Sequence, residues 1–203
     1  LAVKLEHVND LTELLYDKTQ GNAFFLTQFL KSLHEKGFLH FNIESKNWTW
    51  QIEHIKATNM TDNVVVLMAD KIRTLSSNTQ NLLTLAACIG NQFDFATLSV
   101  ISGMDIDNLK SDLREALTEG IVIPTEGGYK FAHDRIQQSA YSLIPETDKA
   151  ATHLKIGRLL LHSATGEKQA AQLFDIADHY NQGLQLLEGE EKMQLLELNR
   201  KAA

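Results

Sequence analysis

Leu11, Leu14 and Leu15 recur three and four positions apart in NDLTELLYDK, the spacing of one helix face. The pattern predicts a helix over 9–18, with Asn9 or Asp10 as its cap. Gln20-Gly21-Asn22 interrupts the period. AFFLTQFLKSLHEKG resumes it, with Phe25, Leu26, Phe29, Leu30 and Leu33 on one side and Gly37 as the stop. The period then falls to two. Alternation over 38–43 and 48–52, around polar residues 44–47, predicts a β-hairpin. Residues 53–63 are polar and read as a linker, with Asp62 or Asn63 placed to cap the next helix.

Helical spacing returns over 64–75 and 79–89, and Gly90-Asn91 turns the chain. FDFATLSVISG predicts a short helix capped by Asp94, and 105–119 an amphipathic helix closed by Gly120. Short strands are predicted at 121–124 and 129–131, around Glu126-Gly127-Gly128, before FAHDRIQQSAYSLIP opens another helix. Three helices followed by a two-stranded wing is the element order of a winged helix, and residues 64–131 fit it. LKSLHEKGFLHF and LREALTEGIVIP echo each other: in each, a leucine stands seven positions before a glycine that leads into an apolar strand. After Pro145, KAATHLKIGRLLLHSA, AAQLFDIADHYNQG and EEKMQLLELNRKAA read as successive helices, as at the start of a tetratricopeptide-like array. The expected fold is mainly α, with a β-hairpin, a winged helix and a helical arm.

Composition narrows the function. The chain has 203 residues and a net charge of −7, so a phosphate backbone or an anionic membrane surface would be repelled. No apolar run approaches the roughly 18 residues of a membrane span. Cys88 is the single cysteine, which excludes an internal disulfide. Its neighbours in LLTLAACIG are apolar, and a buried structural thiol is expected. These features suit the cytoplasm. The opening LAVKLEHVNDL lacks an initiator Met and the closing EEKMQLLELNRKAA stops inside a helical pattern, so a piece of a longer chain is expected.

Most catalytic chemistries find no support. The G-x-x-x-x-G-K-[ST] loop that cradles phosphates is absent. VVVLMAD mimics the strand that carries a magnesium-binding Asp70, but Val64, Leu67, Met68 and Ile72 keep helical spacing. The histidines other than His133 form no HExxH and no close pair; His153 and His162, nine apart, do not share a helix face. Ser139 lies six positions after His133, on a different side of the same helix, and no G-x-S-x-G elbow exists. Neither a catalytic nor a metal site is expected. Residues 62–145 hold ten acids against six lysines and arginines, and acids outnumber bases in the third helix, which opposes DNA binding.

His133-Asp134-Arg135 remains. In the plain structural reading, Asp134 caps the helix, His133 finishes the strand and Arg135 spreads over the surface. In the functional reading the helix N-terminus favours an anion, His133 donates a ring N–H to a phosphate oxygen and Arg135 pairs with a phosphate or an acidic partner.

TQGNAFFLTQFLKSL, the Trp48-Thr49-Trp50 hairpin, LLTLAACIGNQFD, FAHDRIQQSAYSLIP and HLKIGRLLL together resemble the STAND-type ATPase module of large hybrid signalling kinases, which also carry Ser/Thr kinase-like, GAF and histidine kinase domains. The resemblance covers nearly the whole chain. It implies the end of an ATPase lid with its hairpin over 1–55, a winged helix over 62–145 and the start of a helical arm over 146–203. The P-loop core would precede Leu1, and the chain itself would not be an enzyme. Gly21 and Asn22, in Gly21-Asn22-Ala23-Phe24-Phe25, match the family's Gly-Asn-Pro lid motif near the adenine, with Ala23 in place of the proline. His133 matches a winged-helix histidine that meets the β-phosphate of ADP, with Arg135 beside it, and the resemblance implies that Asp134 and Arg135 hold the interface of lid and winged helix. The cofactor implied is ADP or ATP in the parent protein, bound with the help of the core and not by this chain alone. The partners implied are the P-loop core, the GAF and kinase domains of the same chain, and other proteins at the arm, with no nucleic acid and no membrane. A winged-helix DNA-binding regulator and a helical protein-interaction scaffold stay open as alternatives.

Overall fold

A computed structural model describes residues 5–57, 63–163 and 172–202, without the side chains of residues 5–7. It is mainly helical with two small antiparallel sheets. The backbone groups into two compact units, residues 1–67 and 68–203.

In the first unit α1 (Leu5–Thr19) and α2 (Ala23–Glu35) are amphipathic helices. The first is longer than its periodicity suggests. Asn9 and Asp10 lie inside it on its exposed side and do not cap it, because polar residues on the solvent face of a helix imitate a start signal. Asn22 caps α2, its Oδ1 accepting the Phe25 N–H at 2.9 Å. Phe25, Phe29 and Leu33 are buried, with Leu26 and Leu30 half-buried beside them. The hairpin pairs β1 (Leu39–Asn42) with β2 (Asn47–Trp50) in the register Leu39↔Trp50 to Asn42↔Asn47. The linker reading of 53–63 fails in part: α3 (Ile52–Ala57) is a helix, because Ile52 and Ile55 share a side and Ile55 is buried. Asn63 accepts the Val65 N–H at 2.8 Å and so starts α4 (Val64–Arg73); Asp62 lies outside the described residues. The Asp70 stretch is helical, with Val64, Leu67, Met68 and Ile72 all buried, and from Met68 onward it belongs to the second unit.

The second unit is built around α5 (Ser77–Ile89), capped by Ser76. Asp94 caps α6 (Phe95–Ser102), accepting the Thr97 N–H at 2.7 Å. The strands β4 (Val122–Thr125) and β5 (Gly128–Phe131) pair as the sequence indicates. A third strand, β3 (Gln92–Asp94), was not legible: it is three residues long and exists through its ladder with β5, Phe93 opposite Tyr129. The sheet order is β3-β5-β4, and Phe93, Tyr129 and Phe131 cluster on it.

The single helix expected over 105–119 is two, α7 (Ile106–Asp112), capped by Asp105, and α8 (Arg114–Thr118). Tertiary bonds hold the break. The Thr79 hydroxyl, fully buried, lies 2.7 Å from the Asp112 carbonyl and 3.0 Å from the Glu115 carboxylate. Glu115 also accepts the Ser76 N–H at 2.9 Å, and that backbone bond lowers its pKa. The start of α5 is thereby pinned to the α7–α8 joint.

The echo between the two halves is structural. Gly37 (φ +74°) and Gly120 (φ +65°) each end a helix in the left-handed region that glycine tolerates. In both, the glycine N–H reaches back three residues, to His34 or Leu117, and the next N–H reaches back five, to Leu33 or Ala116. Each stop feeds the first strand of a hairpin.

His133 precedes α9 (Asp134–Ser142), and α10 (Glu146–Ser163), α11 (Leu173–Gln182) and α12 (Glu190–Ala202) follow. Gly157 lets α11 approach α10 closely, with Tyr180 over the missing side chain. Arg158 and Glu191 link α10 to α12 through two 2.7 Å bonds. No helix among the described residues is long and apolar enough to cross a membrane.

Candidate functional site

The strand β5 ends at Phe131 and the chain turns through Ala132 into α9, so His133 stands at the joint of strand and helix. Its backbone is extended (φ −156°, ψ 150°), which makes His133 the cap residue and puts Asp134 in the first turn. The cap role expected of Asp134 therefore falls to its neighbour. The side chain of His133 is 37% exposed and that of Asp134 74%.

The hydrogen bonding fixes the ring. Nδ1 of His133 is 2.5 Å from Asp134 Oδ1, and the Arg135 N–H donates to Asp134 Oδ1 at 2.7 Å and reaches His133 Nδ1 at 3.1 Å. A nitrogen and a carboxylate oxygen at 2.5 Å need a proton between them. The two shorter bonds therefore decide the tautomer: Nδ1 carries the proton and donates to Asp134, which in turn takes the Arg135 N–H. The Arg135 guanidinium donates to Gln138 Oε1 at 2.9 Å on the exposed side of α9. The buried face, Ile136, Ser139 and Ala140, packs on α5, where Gln137 Nε2 donates to the Ala87 carbonyl at 3.1 Å. Ser139 is buried and its hydroxyl donates to the Arg135 carbonyl of its own helix, which occupies it structurally.

Gly21 and Asn22 lie in the first unit and His133 and Arg135 in the second. Gly21 has φ +75° and Asn22 is engaged as the cap of α2. Cys88 is half-buried rather than fully buried, and burial pushes its thiol up to about 12, which keeps it protonated at neutral pH.

A second polar cluster went unseen in the sequence. His153 on α10 and His179 on α11, 26 residues apart, place their Nδ1 atoms 2.8 Å from each other, both residues 4% exposed. Tyr141 Oη lies 2.9 Å from His153 Nε2. Burial lowers the pKa of both histidines, that of His179 to about 4. The signal available was weak: each histidine sits at a core position of its helix, among Ala150, Leu154 and Gly157 or Ile176 and Tyr180, but nothing local pairs them. Among the described residues no three His, Cys, Asp or Glu side chains are grouped to hold a metal ion.

No family profile and no solved structure matches the chain. Two curated proteins do. It is 27% identical over 246 residues to the hybrid signal transduction histidine kinase G of Dictyostelium discoideum, covering 95% of this chain and 7% of that protein. It is 22% identical over 186 residues to the peroxide stress-activated histidine kinase mak3 of Schizosaccharomyces pombe, covering 88% of this chain and 8% of that protein. The chain is thus similar to one stretch in each of two signalling histidine kinases and spans less than a tenth of either.

Proposed function

We propose that this chain is a non-catalytic regulatory segment of a STAND-type ATPase module within a multidomain signalling kinase, coupling nucleotide state to protein contacts. The observation that carries the reading is the placement of His133. It follows the last strand of a helix–helix–helix–hairpin unit and heads α9, with Nδ1 beside Asp134. The order α5, β3, α6, α7–α8, β4, β5 supports a winged-helix reading, and the similar curated proteins are histidine kinases.

ADP held by the P-loop core of the parent would present its β-phosphate to His133. The imidazole would donate a ring N–H to a phosphate oxygen, and the α9 N-terminus would add its positive end. Arg135 would pair with a phosphate or an acidic partner. Exchange for ATP would shift the populations towards a state without this contact. The helical arm, α10 to α12, would pass the change on to GAF and kinase domains of the same chain or to other proteins, in the cytoplasm.

The test uses the parent protein with its P-loop core. ADP and ATP are titrated calorimetrically into wild type and His133→Ala. The expected result is a selective loss of ADP affinity of about 1–3 kcal/mol, the worth of a charge-assisted bond. Unchanged binding of both nucleotides would overturn the reading. A second reading, a protein-interaction scaffold, is favoured by the apolar side chains that the arm exposes, Phe174, Leu184, Met193 and Leu196.

A further inference from the structure

Tyr141, His153 and His179 come from three of the described helices, α9, α10 and α11, and form one continuous chain of polar contacts inside the second unit. The rings also pack: the two imidazole centroids are 5.1 Å apart and tilted by 34°, and the Tyr141 and His153 centroids are 5.7 Å apart.

Proton counting limits what this chain tolerates. Two Nδ1 atoms at 2.8 Å share one proton. A neutral pair satisfies the bonds in two ways. Either His153 Nδ1–H donates to His179 and His153 Nε2 accepts the Tyr141 hydroxyl, or His179 Nδ1–H donates to His153 and His153 Nε2–H donates to Tyr141 Oη. One further proton must enter on the unprotonated Nε2, that of His153 in the first arrangement or of His179 in the second, and so puts a charge on a buried ring. Two further protons give two imidazolium rings with N–H facing N–H, which cannot stand at 2.8 Å.

The surrounding charges do not remove this penalty. Asp178, beside His179 on α11, favours the protonated rings; Lys149 on α10 opposes protonation of His153 and stands 4.9 Å over the Tyr141 ring. Glu146 on α10 pairs with Lys149, and Cys88 on α5 faces Tyr141 as a neutral thiol. Desolvation is the largest influence on both histidines and outweighs Asp178.

We propose that Tyr141, His153 and His179 form a proton-operated latch that ties the arm helices α10 and α11 to α9 and loosens when the pair takes up protons. The latch is independent of nucleotide. It would make the attachment of the arm sensitive to acidification, a second input at the place where the arm begins.

The sign follows from linkage. Both histidines are harder to protonate in the closed state than in an opened one, where the ordinary value is about 6.5. The stabilisation is complete above that value and is lost as pH falls through it towards about 4, where His179 takes a proton even when closed. Between pH 6 and pH 5 each released histidine multiplies the opening equilibrium by up to about 8, and two by up to about 60. Asp175 on α11, whose carboxyl burial pushes up, acts in the opposite sense, because it holds its proton more readily in the closed state.

Native-state hydrogen exchange on the 203-residue chain reads this directly, after correction for the intrinsic pH dependence of exchange. In wild type the amides of α10 and α11 should open with the steep dependence, and those of α5 should not. In His179→Gln and in His153→Gln the dependence should fall to that of one histidine. Equal slopes in wild type and both variants would overturn the latch, as would an equal loss of protection in α5. Should a variant not fold, the imidazole nitrogens of wild type decide by NMR. One Nδ1 protonated, one bare and both rings resisting titration near 6.5 supports the latch; ordinary titration of both overturns it.

Discussion

Gly157 lies on the buried face of α10, and its replacement by alanine sets two known effects against each other. Alanine in a helix interior gains about 1 kcal/mol over glycine. Against this, the added Cβ would sit 2.9 Å from Tyr180 Cδ2, 3.2 Å from Tyr180 Cε2 and 3.2 Å from the His179 Cβ. Carbon atoms pack best at about 3.5–4.0 Å, so α11 or the Tyr180 ring must move by roughly half an ångström. Tyr180 is 2% exposed and has no solvent side to move into. Overpacking of this kind costs about 1–3 kcal/mol, so Gly157→Ala should destabilise by about 1 kcal/mol net. Gly183→Ala provides the comparison. Its Cβ would lie 2.7 Å from Leu154 Cβ and 3.1 Å from the Ala150 carbonyl oxygen, at a position after α11 where alanine gains no helix propensity. It should cost about 2–3 kcal/mol. Both tryptophans, Trp48 and Trp50, belong to the first unit, so fluorescence misses the effect and urea unfolding must be followed by far-UV circular dichroism. A Gly157→Ala protein more stable than wild type would refute the close approach of α10 and α11.

Further variants probe other joints, beside the His133 nucleotide titration and the pH dependence of the latch. Thr79→Val removes the buried hydroxyl between α5 and the α7–α8 joint and leaves the Asp112 carbonyl without that donor; a loss of about 1–2 kcal/mol in urea unfolding is expected. Gly128→Ala places a Cβ 2.1 Å from the Phe93 carbonyl oxygen and 2.7 Å from Asp94 Cα, so β3 must leave the sheet. Slow exchange should vanish at the Phe131 amide, which now donates to Asn91, at a cost of about 2 kcal/mol or more.

What the sequence determined is what neighbours along the chain decide. Helical spacing placed α2, α4, α5 and α10, because one buried stripe needs only a period. Asn22 and Asp94 were legible as caps, and Gly37 and Gly120 as stops, since caps and stops involve backbone groups within five residues. The hairpin around residues 43–46 and the strands flanking Glu126 to Gly128 followed from alternation and turn residues. His133 was marked by its place between a strand and a helix. The tertiary structure decided the rest. A three-residue β3 has too little pattern to be seen and exists through its partner β5. The break at Leu113 contradicts local amphipathicity and is held by Thr79, 33 residues away from Asp112. Residues 53–63, polar in composition, yielded α3 because Ile55 found a core. The pairing of His153 with His179 depends on how closely α10 and α11 approach, which Gly157 permits. A one-dimensional pattern records which side of a helix is buried, but not which residue of another helix it meets there.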